Sequence, residues 1–178
     1  MTSPGIGQGA TFIIKLPVMI THETSSQPEA LDLSAPTDDN IDAAPSLEGL
    51  QILIVEDEVD SLELLSTILQ GYGAQVIPTA SVSEALKIIE NATVKSLDVL
   101  VSDIGMPNED GYSLIRKLRQ LEAQRGGWIP AIALTAYAKS EDRKQALLAG
   151  FQMHLPKPVE PEELATVIAS LTGRTGKF

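Results

Sequence analysis

Four short apolar runs in this sequence each lead into residues that can handle charge or phosphate. Ile52-Leu53-Ile54-Val55 runs into Glu56-Asp57-Glu58, and Leu97-Asp98-Val99-Leu100-Val101-Ser102 runs into Asp103. Ala131-Ile132-Ala133-Leu134 runs into Thr135, and Met153-His154-Leu155 is followed by Pro156-Lys157-Pro158. If the runs are parallel strands, the four ends share one edge of a sheet, the edge where open α/β sheets hold their ligands. Two carboxylates about 5 Å apart at an effective dielectric near 20 repel by roughly 3 kcal/mol. Glu56, Asp57 and Asp103 gathered there therefore need a cation. Hard oxygen donors favour Mg²⁺, which binds through a few carboxylates and keeps several waters. Asp103 becomes a candidate phosphate acceptor, Lys157 a cation for phosphoryl oxygens and Thr135 a hydroxyl donor to them. Alone, an Asp before Gly105 and Pro107 reads as a turn former; the other three strand ends give it its chemistry.

The elements that must position these residues follow from periodicity. After the first run, Val59, Leu62, Leu65 and Leu69 recur at helical spacing, with Gly71 and Gly73 as the stop. Ala74-Gln75-Val76-Ile77 reads as a second strand. Ser81-Val82-Ser83-Glu84 is a capping box ahead of the apolar face Val82, Ala85, Leu86 and Ile89. The third strand ends at Asp103, and a helix starts at Gly111 with Leu114, Ile115, Leu118 and Leu121 inward. The run at 131–134 is the fourth strand, with Trp128 covering its start. Ser140 caps a helix ending near Gly150, with Glu141 and Asp142 at its positive end. The run at 153–155 is the fifth strand. Pro161 opens the last helix, whose face is Leu164, Val167, Ile168 and Leu171. Residues 50–172 thus read as (βα)5, a doubly wound parallel sheet of flavodoxin-like order 2-1-3-4-5.

Composition narrows the function classes. Formal charge is −11, from 13 basic and 24 acidic residues, which argues against direct contact with nucleic acid. There is no cysteine, so disulfides and thiolate metal sites are excluded. No apolar run approaches the roughly 20 residues of a membrane span, and no secretory signal is visible, so a cytoplasmic location is expected. Residues 21–49 are rich in Ser, Thr, Pro, Asp and Glu with scattered apolar residues, the composition of a disordered linker.

The four motifs, taken together and in this order, resemble the receiver domain of two-component response regulators over about Leu50 to Leu171. The quoted segments are Ile52 to Glu58, Val101 to Gly111, Ala133 to Ala136 and Leu155 to Pro158. The resemblance implies that Asp103 accepts a phosphoryl group from a phosphohistidine. It implies that Asp57, Asp103 and the backbone carbonyl of Gly105 bind Mg²⁺, with Glu56 acting through water. Thr135 would be the switch hydroxyl and Lys157 the cation paired with phosphate. The Lys157–Pro158 bond would be cis. The position on the fifth strand where the family often has Tyr or Phe is His154 here, a departure from the aromatic switch. Tyr137, two residues beyond Thr135, would tune dephosphorylation together with Gly105.

Residues 1–20 are similar to the end of a histidine-kinase ATP-binding domain, through Gly5-Ile6-Gly7-Gln8-Gly9-Ala10-Thr11-Phe12 and Ile13-Ile14-Lys15-Leu16-Pro17. The phosphorylatable-His helix and the Asn-bearing helix of such kinases are absent. The expectation is therefore the remnant of a hybrid histidine kinase, without kinase activity in this chain, followed by a linker, a receiver over 50–172 and a tail over 173–178. Its output would be in trans. Its expected partner is a histidine kinase or a histidine phosphotransfer protein, and a phosphorylation-dependent dimer is a further expectation. An alternative is a Mg²⁺-dependent aspartyl-phosphate phosphatase of the haloacid dehalogenase type, but the second Asp expected two residues after the nucleophile is Gly105. A small-ligand flavodoxin-like domain is a third reading, disfavoured because Glu56-Asp57-Glu58 would repel phosphate. Glu58 reads as charge at a helix N-terminus. His22 lies in the linker with no amphipathic helix around it.

Overall fold

The computed structural model of the protein describes residues 45–91, 97–107, 109–136 and 140–174. Five strands alternate with five helices: β1 Gln51–Val55, α1 Val59–Gly71, β2 Gln75–Thr79, α2 Val82–Asn91, β3 Val99–Asp103, α3 Gly111–Arg125, β4 Ala131–Thr135, α4 Ser140–Ala149, β5 Met153–Pro156 and α5 Pro161–Leu171. All strand pairs are parallel, in the order β2-β1-β3-β4-β5 that the sequence pattern implies. The expected readings of residues 1–20, of most of the linker, of His22 and of Tyr137 lie outside the described residues.

Strand alternation divides the core into two layers. Ile52, Ile54, Val99, Val101, Ile132 and Leu134 face α1 and α5. Leu53, Val55, Leu100, Ala131 and Ala133 face α2, α3 and α4. The three central strands are buried along nearly their whole length, as strands covered on both faces must be.

Several local expectations need correction. β2 runs to Thr79 and includes Pro78, because β2 is an edge strand where a missing N–H can be tolerated. Leu47, within the stretch whose composition reads as linker, is fully buried among the α1/α5 layer, and its N–H donates to the Tyr72 carbonyl at 2.9 Å. Beside it, the Arg174 guanidinium after α5 donates to the Glu48 carbonyl. In the α2 capping motif Ser81 Oγ accepts from Glu84 N at 3.3 Å, but Glu84 Oε2 reaches Ala80 N at 3.1 Å, one residue before the expected donor. α4 begins at Ser140 itself. Trp128 is 59% exposed and does not cover the start of β4; the buried residue there is Ile129.

The turn after β3 depends on Gly111. A Cβ built there would lie 2.4 Å from the Asp103 carbonyl oxygen, a backbone atom that cannot give way. Gly111→Ala should cost about 3 kcal/mol of stability by this overlap, read from urea unfolding curves; an unchanged midpoint would contradict it. The turn is further fixed by Asp110, whose side chain accepts from Ser113 N at 2.7 Å and caps α3.

Candidate functional site: an acidic strand edge with one bridging lysine

Parallel pairing carries the ends of β1, β3, β4 and β5 to the same edge. Glu56 follows β1 directly and is 1% exposed, while Asp57 beside it is exposed. Asp103 ends β3 and Thr135 ends β4, both buried. Lys157 follows β5, and its N–H donates to the Thr135 carbonyl at 2.7 Å, which fixes the start of the cis Lys157–Pro158 segment against β4.

The lysine side chain crosses the edge. Lys157 Nζ donates to Glu56 Oε2 at 2.5 Å and to Asp103 Oδ2 at 2.8 Å. The other Asp103 oxygen, Oδ1, accepts from Gly105 N at 2.9 Å. One carboxylate oxygen from each of Glu56, Asp57 and Asp103 lies within 4.8 Å of the others. Burial pushes the Glu56 carboxyl above the ordinary carboxylate range, and the Asp103 charge adds to that, against the opposing pull of Lys157. Burial alone would lower the Lys157 ammonium, but its hydrogen bonds to Asp103 and Glu56 outweigh it and hold its pKa above the usual value.

Three carboxylates against one ammonium leave a negative excess, and the donors are all hard oxygens at separations that one small divalent ion can span. The residues present thus fit Mg²⁺. Glu58 is not part of the cluster: its Oε2 accepts from Ser61 Oγ at 2.7 Å, in the first turn of α1. His154 lies in the middle of β5 opposite Ala133, away from the carboxylates in register, with Nε2 buried and without a hydrogen-bond partner among the described residues.

Two features were not read from the sequence. A groove of about 390 Å³ opens beside Lys157, walled by Leu64, Leu65, Ile68, Leu134, Pro158 and Val159. Leu64 is 61% exposed and off the inward stripe of α1, and that misplaced leucine was the available signal. The second is a polar network at the opposite edge of the sheet. Arg119 Nη1 donates to both Glu122 oxygens at 2.7 Å and to the Ile129 carbonyl at 2.9 Å, and its guanidinium lies 4.0 Å from the Trp128 ring centroid.

A sequence model of the family described as the response regulator receiver domain matches residues 52–169. An uncharacterised 14.6 kDa protein of Leptolyngbya boryana is 43% identical over 123 residues, which are 69% of this chain and 90% of that one. A hybrid signal transduction histidine kinase, kinase D of Dictyostelium discoideum, is 39% identical over 128 residues, 70% of this chain but 8% of the kinase. The chain thus spans only a small part of that relative's length. Among solved structures, a response regulator receiver domain protein of Clostridium thermocellum superposes with a TM-score of 0.62 at 27% identity, covering 70% of this chain and 95% of that one. The phosphatase alternative finds no support in these comparisons, in keeping with the Gly at 105.

Proposed function

The chain belongs to the response regulator receiver domain family of phosphorelay signalling, and from that premise we propose that Asp103 takes a phosphoryl group from a phosphohistidine on a histidine kinase or a phosphotransfer protein. The observation that supports this most is the bridge from Lys157 Nζ to both Glu56 and Asp103. It places a cation against the acceptor oxygen before any phosphoryl group arrives. In the transfer an Asp103 carboxylate oxygen bonds to phosphorus, the phosphorus–nitrogen bond breaks, and its electron pair leaves on the imidazole nitrogen, which picks up a proton. Asp57, Asp103 and the Gly105 carbonyl would hold Mg²⁺ directly and Glu56 through water. Bound there, the ion supplies positive charge that neutralises carboxylate and phosphoryl oxygens.

The protein's own groups do the rest. Gly105 N holds Asp103 Oδ1 and so sets the carboxylate plane. Lys157 moves its hydrogen bond from Asp103 to a phosphoryl oxygen, and Thr135, at the neighbouring strand end, donates a hydroxyl to another. The apolar groove beside Lys157, with exposed Val59 and Leu64 on α1, gives the donor protein a surface to cover during transfer. The acyl phosphate adds about −1.5 to −2 charge to an already acidic edge, and the response of Thr135 to it shifts the population of partner-binding conformations. We place this exchange in the cytoplasm. Residues 1–20 we read as the end of a histidine-kinase ATP-binding domain. Calorimetry with ATP should show no binding to this chain; micromolar affinity would overturn that reading.

The test is intact mass after incubation with Mg²⁺ and either acetyl phosphate or phosphoramidate. One phosphate adduct should form, and chelation of the metal should prevent it. No adduct with any donor would overturn the reading. Metal binding has its own readout: at roughly 100-fold excess over its dissociation constant, Mg²⁺ should add about 2.7 kcal/mol of stability. Thermal melts check this, and Asp57→Ala should remove the increment while leaving the metal-free melting temperature nearly unchanged.

A further inference from the structure

Helices α1 and α5 end in the same way. Gly73 N donates to the Gln70 carbonyl at 2.9 Å and Ala74 N to the Leu69 carbonyl at 3.1 Å, the paired bonds of a Schellman turn. At the end of α5, Gly173 N donates to the Ser170 carbonyl at 3.2 Å and Arg174 N to the Ala169 carbonyl at 2.7 Å. Gly73 and Gly173 have φ 93 and φ 71, the left-handed backbone such turns require.

Residues 45–50 cross both turns. Leu47 N donates to the Tyr72 carbonyl at 2.9 Å, and Leu50 N donates back to the Leu47 carbonyl at 3.1 Å. Glu48 passes so near Gly73 that a Cβ there would lie 3.2 Å from Glu48 Cα. The Glu48 carbonyl accepts from the Arg174 guanidinium, beyond the end of α5. Leu47 is fully buried in the α1/α5 layer, while Ser46, Glu48 and Gly49 are exposed. Among the described residues, the hold of 45–49 on the two helices is this one leucine, the bond to Tyr72 and the bond from Arg174. That is little beside α5, which buries Leu164, Ala165, Ile168 and Ala169, so the segment is drawn from the low-stability end of the domain.

The layer that Leu47 enters extends to the opposite edge of the sheet. Leu65 and Leu134 belong to it, and both also wall the groove beside Lys157. Helix α1 thus has its last turn under the segment and its middle against the groove.

We propose that residues 45–49 are a strap that sets how α1 packs on α5, and through Leu65 the shape of the groove beside Lys157. Engaged, it ties the two helix ends together. Released, it frees them locally, and the rest of the domain stays folded. Whatever draws on the chain ahead of residue 45 acts first on this strap. Its regulatory value rests on the groove receiving the phosphoryl donor, as proposed above; its grip on α1 and α5 does not.

Native-state hydrogen exchange on the unphosphorylated full chain tests that grip. The Leu47 amide should exchange through local opening, at a rate insensitive to low denaturant, while amides of the central strands follow global unfolding. Arg174→Met removes an exposed charged donor and should speed exchange at Leu47, Leu69 and Ile168 by about tenfold more than at α3 amides. Leu47→Ala should do the same by about 100-fold. The chain has no cysteine, so Leu64→Cys carrying an environment-sensitive dye reads the groove alone. Its emission should shift in both strap variants and stay unchanged in Glu48→Ala, which keeps the backbone contacts. Exchange of the Leu47 amide only with global unfolding would overturn the proposal. So would equal acceleration of α1, α5 and α3, or a dye signal that ignores the strap variants. Arg174→Met decides the matter if Leu47→Ala does not fold. None of these readouts uses a phosphoryl donor, so a failure to form the Asp103 adduct would overturn the transfer reading and leave the strap result standing.

Discussion

Asp103→Asn is expected to fold and to gain no phosphate under any donor, the largest functional effect a single substitution here should have. The amide can keep the acceptor role toward Gly105 N, so the turn after β3 is not undone. Removing one of three carboxylates that lie within 4.8 Å of one another also relieves repulsion at the edge. What is lost is the nucleophile: an amide oxygen does not form a stable bond to phosphorus at neutral pH. Intact mass with Mg²⁺ and acetyl phosphate checks it. A phosphate adduct on Asp103→Asn at the rate of the unsubstituted chain would move the acceptor to another residue.

Lys157→Met should combine a catalytic and a structural loss. Without the ammonium, developing charge on the phosphoryl oxygens loses a preplaced donor, a change worth about 10²–10³ in the rate of adduct formation. In metal-free buffer the variant should also lose about 2–3 kcal/mol at neutral pH, because Glu56 is left buried and unpaired. The figure is below that of a fully buried pair because the Lys157 side chain keeps 27% exposure. The sign with pH follows from Glu56. Its folded-state pKa is raised by burial, and loss of Lys157 raises it further. The folded state then binds more protons than the unfolded chain between the ordinary carboxylate pKa and the raised one. Stability therefore falls as pH rises through that window and recovers on acidification. Urea unfolding at pH 5 and pH 7.5 with a chelator measures it; equal losses at both would show that Glu56 is not the group responsible.

The strands and the acidic edge were legible because each depends on local sequence. Runs such as Ile52 to Val55 and Ala131 to Leu134 are buried on both faces, so apolarity alone marks them. Parallel connectivity then places Glu56, Asp103 and Lys157 together without further information. The Arg119 network was not legible, because it depends on tertiary pairing. Glu122 looks like a solvated helix residue, yet it is 5% exposed and holds Ile129 N at 2.7 Å across the α3–β4 connection. Trp128 reads as a core residue by type but lies outside as a lid on a guanidinium. Leu47 was misread for a similar reason: a single apolar residue in polar company carries no period, and its partners lie in α1 and beyond. His154 was visible as a departure from the family pattern, but its buried, unpaired nitrogen was not.

The contact between Arg174 and the Glu48 carbonyl has an architectural consequence. It brings the polypeptide's way into the fold and its way out of it to one spot, at the pole where strands begin and helices finish, opposite Asp103. A module wired like this is a cassette. It can be spliced into a surface loop of a host protein, or strung between two others, by bridging a gap no wider than one hydrogen-bonded pair. The pole that carries Asp103 stays clear of the seams, so shuffling the domain among unrelated hosts need not disturb that site.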